Sequence, residues 1–242
     1  MDERGVGERG VDGRGVGCPR VDYGLFEQAA GGRCGTEALV RAGTAALEEI
    51  AAGRRELCAV RHPLGFLCLP VERDEDQGVC VHVFGGPQSG EAAAPLTTSP
   101  VHAHSWDLVS CVLYGRVVNV QMSVADRRDA PTHRVFEVVS HPSGVDELRP
   151  TRRLVTCRPG AARTSGAGEI YTHPAGEFHT TVLPDDGAAT LLLGRTRPGG
   201  RDLSLGPLDG TGHRVVRQHC DFAQSARTAG AVLRRLHAPQ RR

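Results

Sequence analysis

Three histidines define the chemistry open to this chain. His102 and His104 stand two residues apart in 101–115 (VHAHSWDLVSCVLYG), a stretch whose β-branched and aromatic content reads as a strand. Side chains at i and i+2 share one face of a strand, so both imidazoles face a common point. His179 opens another strand-like run in 168–182 (GEIYTHPAGEFHTTV), just after the turn Pro174-Ala175-Gly176. Two imidazoles from one strand and a third from its neighbour make a donor set for a divalent metal. The set binds only when neutral, so affinity should fall below roughly pH 6.5.

Other residues qualify by type and position. If the strand stays regular, Trp106, Leu108, Ser110, Val112 and Tyr114 share the histidine face. Trp106, the only tryptophan, would wall the pocket, while Ser110 and Tyr114 would hydrogen-bond a substrate. Tyr171, eight residues before His179, would orient substrate or pass a proton; it and Trp106 are the catalytic candidates. His82, mid-strand in Val81-His82-Val83, is a further pocket candidate. A substrate carboxylate would call for a bidentate arginine, and Arg61, Arg116, Arg195 and Arg197 are the candidates. An inward arginine is costly unless paired, and the pattern does not set the parity of these four. Asp107 falls on the opposite face from the histidines, placed to accept a hydrogen bond from a neighbouring strand or to stand in solvent.

The elements that must position these residues follow from pattern. Over 36–53, Leu39, Ala42, Ala46, Leu47 and Ile50 recur at helical spacing, with Thr36 as N-cap and Gly53 as the stop. Strands are expected at 64–71, 79–84, 133–140, 152–157, 169–173, 179–183, 189–196 and 214–219, with a hairpin over 101–124 turning near Gly115-Arg116. Residues 221–237 form a last helix, N-capped by Asp221, with Ala226, Ala229, Val232, Leu233 and Leu236 inward. Residues 1–30, Gly-rich at the start, are expected to be a disordered leader. Short strands with helices only at the ends predict an all-β sandwich or barrel of antiparallel strands, one domain over 31–242.

Bulk properties bound the rest. The 242 residues are 39% hydrophobic and carry a net charge of +1, with every one of the 29 basic residues an arginine. No basic patch argues for nucleic acid, and no long apolar run argues for a membrane span. The 8 cysteines are scattered without a C-x-x-C pair, as in a reduced, cytoplasmic protein.

The two histidine stretches resemble the cupin superfamily, whose pattern is H-x-H closing on Gly, followed by G-x5-P-x-G-x2-H. His102, His104 and Gly115 match the first motif; Gly168, Pro174, Gly176 and His179 match the second. Leu96 and Leu183 stand where the family often has Gly and Asn. Many cupins also add a glutamate ligand beyond the second histidine, where this chain has Leu108 and Val109. The resemblance implies a jelly-roll barrel holding a divalent metal, Fe(II) foremost, with Ni, Mn, Cu or Zn as alternatives. A three-histidine site is similar to that of thiol dioxygenases, which implies a mononuclear non-haem oxygenase taking dioxygen and a small polar substrate such as a cysteine-like thiol. Cys111 does not sit where the Cys–Tyr crosslink of some of those enzymes would need it. A metal-dependent isomerase, lyase or cyclase and a metabolite-binding cupin without turnover are the competing readings. A homodimer capped by the terminal helices fits all three.

Overall fold

A computed structural model describes residues 23–32, 35–74, 76–85 and 98–238. In chain order the elements are α1 (Tyr23–Ala30), α2 (Glu37–Ala51), β1 (Val60–Arg61), β2 (Leu67–Arg73), β3 (Gln77–Gly85), β4 (His102–Ala103), β5 (Trp106–Tyr114) and β6 (Arg116–Asp126). There follow β7 (His133–Ser140), β8 (Val145–Gly166), β9 (Ile170–His173), β10 (His179–Val182), β11 (Gly187–Thr196), β12 (Asp202–Gly206), β13 (His213–Val216), β14 (Gln218–His219) and α3 (Phe222–His237). Residues 1–22 and Leu96 lie outside the described residues.

The strands form two seven-stranded sheets, in the orders β14-β1-β2-β3-β11-β5-β9 and β13-β8-β6-β10-β4-β12-β7, antiparallel throughout. This is the expected jelly-roll barrel with its terminal helices. Alternation along the first sheet separates two faces. Leu67, Leu69, Val71, Val79, Val81, Leu191 and Leu193 point outward and are covered by the helices. Leu108, Val112 and Leu192 point inward and meet Val117 of the second sheet.

Both long helices form where their patterns place them. In α2 the buried stripe is Leu39, Gly43, Ala46, Leu47 and Ile50, and Gly53 beyond its end takes the left-handed φ of +70°. Thr36 stands at the N-cap position but makes no side-chain cap bond. In α3 the Asp221 carboxylate accepts from Gln224 N (2.6 Å), and the Gln224 side-chain oxygen accepts from Asp221 N (3.2 Å). That reciprocal pair satisfies two otherwise orphaned donors. The Ser225 hydroxyl accepts from Ala59 N at 2.9 Å and ties α3 to the approach of β1.

Three expectations need correction. Residues 23–30 are not leader: they fold as α1, with Phe26 fully buried in the helix-covered core and Glu27 paired to Arg195. The strand expected at 152–157 is the middle of a 22-residue strand whose first half pairs with β7 and whose second half pairs with β6. A short polar-and-apolar run around a bend carries too little alternation to show that continuity. The strand β12 was absent from the sequence pattern because DLSLG is short and flanked by glycines and prolines.

The hairpin between β5 and β6 turns at Gly115, whose φ is +75°. A Cβ there would overlap the Gly187 carbonyl oxygen and lie 2.9 Å from the Ala188 Cα, both backbone atoms that cannot rotate away. Gly115→Ala is therefore expected to cost roughly 2–4 kcal/mol, the combined effect of left-handed strain and a backbone clash. A lowered urea midpoint at unchanged m-value would show it.

Candidate metal centre

The three histidines converge because the chain changes sheets between them. His102 lies in β4 of the second sheet, opposite His179 of β10, while Trp106 starts β5 in the first sheet. His104 sits at the crossover, so the pair is not on one regular strand as expected. Convergence survives, since the donor atoms of His102, His104 and His179 all lie within 4.8 Å of one another. Ring centroids are 4.8 Å apart for His102–His104, 4.4 Å for His102–His179 and 5.1 Å for His104–His179. Among the described residues this is the one group of three or more metal-ligating side chains so arranged.

Backbone carbonyls orient two of the rings. His102 Nδ1 lies 3.0 Å from Pro100 O, and His179 Nδ1 lies 3.2 Å from Glu177 O. A carbonyl only accepts, so each Nδ1 carries the proton and each Nε2 lone pair is free for a cation. The Trp106 indole stacks on the third ring, with centroids 4.2 Å apart and planes 30° from parallel. Trp106 fits there because residue 194 is glycine: a Cβ on Gly194 would lie 2.8 Å from the indole Cε3. This neutral nitrogen set, oriented from behind and walled on one side, fits a divalent transition metal.

The turn carrying His179 is clasped to the crossover. Gly176 N donates to His104 O at 2.8 Å, and Ala175 N donates to Asp107 Oδ1 at 2.9 Å. Arg197 Nε donates to the other Asp107 oxygen at 2.6 Å, while Ser105 N donates to Asp202 Oδ1 at 2.6 Å. Asp107 thus points away from the donor atoms, as its parity requires, and holds the two motif stretches together. The Arg197 guanidinium and the Ala175 amide keep its carboxyl below the usual range.

Three further histidines, His173, His82 and His62, line the barrel beside the three. His173 stacks on His179 with centroids 3.9 Å apart and planes 7° from parallel, and Tyr171 meets His173 edge-on at 5.5 Å. His82 faces inward, close enough to His102 to lower its own pKa, and its ring lies 4.3 Å from Phe66, which stacks on His62 at 4.3 Å. His62 was not among the candidates drawn from the sequence. The available signal was parity, since His62 shares the inward side with Val60, which pairs with Cys68 opposite His82. Likewise His173 lies two residues beyond inward-facing Tyr171.

Burial dominates the electrostatics. It depresses His102 and His62 to about 4 and His173 and His179 to about 3, and holds His104 and His82 well below 6.5. Repulsion adds to the effect, from neighbouring imidazoles at His82, His102, His104, His173 and His179 and from Arg217 at His62. Tyr171 is raised by burial, although contacts with Ser110, Thr190 and Asn119 work in the other direction. It is one ring removed from His179 rather than against the donor atoms.

Four expected substrate contacts are not in the pocket. Tyr114 packs with the helix-covered core near Arg235, because a register shift between Ala189 and Thr190 reverses the alternation at the end of β5. Arg116 is exposed and forms a two-pronged pair with Asp185, 2.7 and 2.8 Å. Arg195 pairs outside with Glu27 at 2.6 Å. Arg61 is opposite Leu67, a helix-facing residue, so it lies on that side of the sheet. Ser110 does face inward, fully buried beside Tyr171.

Two outcomes follow. The unfolded chain binds protons near 6.5, whereas the buried imidazoles resist them until about 4 or 3. Their contribution to stability is present above pH 6.5 and is lost as pH falls from there toward 4. Denaturation of the metal-free protein at stepped pH should trace that decline, and a saturating divalent metal should shift it to lower pH. Because the single Trp stacks on His104, adding Zn2+ or Fe2+ should change tryptophan emission; Gly194→Ala or His104→Ala should abolish the change.

No protein-family model matches the chain, and no curated protein matches its sequence. Solved structures do. A cupin superfamily protein of Desulfitobacterium hafniense is 9% identical over 55% of this chain and 78% of its own, with a TM-score of 0.31. Hydroquinone 1,2-dioxygenase in complex with Cd2+ and 4-hydroxybenzonitrile is 17% identical over 53% of this chain and 63% of its own, TM-score 0.31. The DMSP lyase DddQ of Ruegeria pomeroyi is 17% identical over 62% of this chain and 51% of its own, TM-score 0.28. At such identities and TM-scores these likenesses assign neither a family nor an activity to this chain.

Proposed function

We propose that the chain is a mononuclear metal-dependent oxygenase of small molecules, with Fe(II) as the metal and a small thiol as the substrate class. The observation that carries the reading is the donor set itself: three neutral imidazoles with no carboxylate joining them among the described residues. Such a set leaves the charge of a divalent cation uncompensated, so the site favours an anionic donor from the substrate. The candidate arginines Arg61, Arg116 and Arg195 face elsewhere, which leaves the cation as the recognition element for a thiolate. The reaction in balance is RSH + O2 → RSO2H.

Fe(II) held by His102, His104 and His179 would supply Lewis acidity and the electrons that activate dioxygen. The protein's part is positional. The Pro100 and Glu177 carbonyls fix the ring tautomers, and Trp106 and His173 hold His104 and His179 by stacking. Tyr171, a phenol whose pKa burial raises further, would donate a hydrogen bond into the substrate space. With Arg61, Arg116 and Arg195 turned elsewhere, a thiol whose remaining groups are recognised by neutral side chains fits better than one clamped through a carboxylate by any of those three.

A second reading keeps the metal and drops oxygen. The Tyr171 phenol, raised by burial and set among the Ser110, Thr190 and Asn119 side chains, would then serve as a proton donor in a lyase or isomerase. Loading the protein anaerobically with Fe(II), adding small thiols such as cysteine and cysteamine, and then admitting oxygen separates the two. Oxygen uptake with a product 32 Da heavier supports the oxygenase, and His102→Ala should lower that rate by roughly 10³-fold or more. Turnover that proceeds unchanged without oxygen overturns it in favour of the second reading.

A further inference from the structure

The inner wall of the barrel carries a pair of cysteines that the metal chemistry does not use. Cys68 of β2 lies opposite His82 of β3, and Pro70 lies opposite Cys80, so the two cysteines occupy diagonal positions on one face. That face is the inward one, since Leu67, Leu69, Val79 and Val81 take the other, and Cys80 packs with the inner cluster of Leu108, Val112 and Leu192. Both are free thiols, half-buried in the barrel wall. Diagonal neighbours on one face of an antiparallel pair have side chains within reach of each other.

We propose that Cys68 and Cys80 form a peroxide-reactive dithiol, with Cys80 the attacking sulfur and Cys68 the resolving one. In balance, the Cys80 thiolate attacks one oxygen of hydrogen peroxide, the O–O bond breaks, and hydroxide leaves to give Cys80–SOH. The Cys68 sulfur then attacks the Cys80 sulfur, the S–O bond breaks, and water departs as the disulfide forms. The sum is 2 RSH + H2O2 → RSSR + 2 H2O.

Three features favour this pair over the other thiols. Interaction with Cys68, and after it the Arg73 guanidinium, lower the Cys80 pKa, while interaction with Cys80 and burial raise Cys68. Burial raises Cys157 and pushes Cys111 up to about 11, which makes both poor nucleophiles. The register between β2 and β3 also shifts beside the pair, between Pro70 and Glu72, and Pro70 has no N–H to give to the ladder. A bulge at that point supplies the slack that a diagonal pair needs to close to bonding distance.

The test uses the full chain, reduced, metal-free and treated with one equivalent of hydrogen peroxide, followed by alkylation and peptide mapping by mass spectrometry. A Cys68–Cys80 linked peptide, two hydrogens lighter and reversed by dithiothreitol, is expected to dominate. In Cys68→Ser, a dimedone-type probe should label Cys80; in Cys80→Ser, labelling of Cys68 should be at least ten-fold weaker. Linkage no greater than for Cys58 or Cys157, or Cys68 labelled as strongly as Cys80, would overturn the assignment. Should either variant fail to fold, the wild-type peptide map decides alone. The outcome does not depend on the oxygenase reading, because peroxide is supplied and metal is withheld.

Discussion

The clasp between the two histidine stretches is the constraint on which the rest of the site depends. The chain must leave one sheet at His102, pass His104 in an irregular crossover and enter the other sheet at Trp106. An irregular segment has no ladder to satisfy its backbone, so its polar groups must find other partners. They find them in the turn that carries His179: Gly176 N takes His104 O, and Asp107 takes Ala175 N while Arg197 neutralises it. The same bonds that satisfy the crossover therefore set the separation of the ligands. A carboxylate at 107 is better used there than as a metal ligand.

The barrel interior is unusual in its charge. Six imidazoles, His62, His82, His102, His104, His173 and His179, face inward or stand at its edge, and burial keeps each of them neutral. Neutral rings can stack, as His173 does on His179, where protonated ones would repel. Arg61, Arg116 and Arg195, which might have supplied a permanent cation, are placed on the outer side or at the surface. A bound divalent cation would thus enter among neutral rings, with Arg217 the fixed charge that acts on His62.

The outer face follows a different rule. Leucine and valine on β2, β3 and β11 meet the stripes of α2 and α3, and Phe26 of α1 closes one edge. This face stiffens the first sheet and leaves its other face free to be polar. Segregation by period-two alternation lets one strand, such as β3, present Val79, Val81 and Val83 to the helices and Cys80, His82 and Phe84 to the barrel.

Legibility divides along the same physical line. What depends on local spacing was readable from sequence: the long helices and most of their inward residues, the strands at 133–140 and 179–183, the turn at Gly115 and the three histidines that converge. The inward position of Ser110 was also local, since it follows from alternation along β5. What depends on partners brought from afar was decided only by the folded chain. Tyr114 left the pocket because a register shift against β11 reversed its side. Arg116 and Arg195 went outward because Asp185 and Glu27, distant in sequence, were waiting there. Residues 23–30 became helix because a buried site existed for Phe26. Spacing along a strand says which residues share a face; only packing says which face is inside and which charge finds a mate.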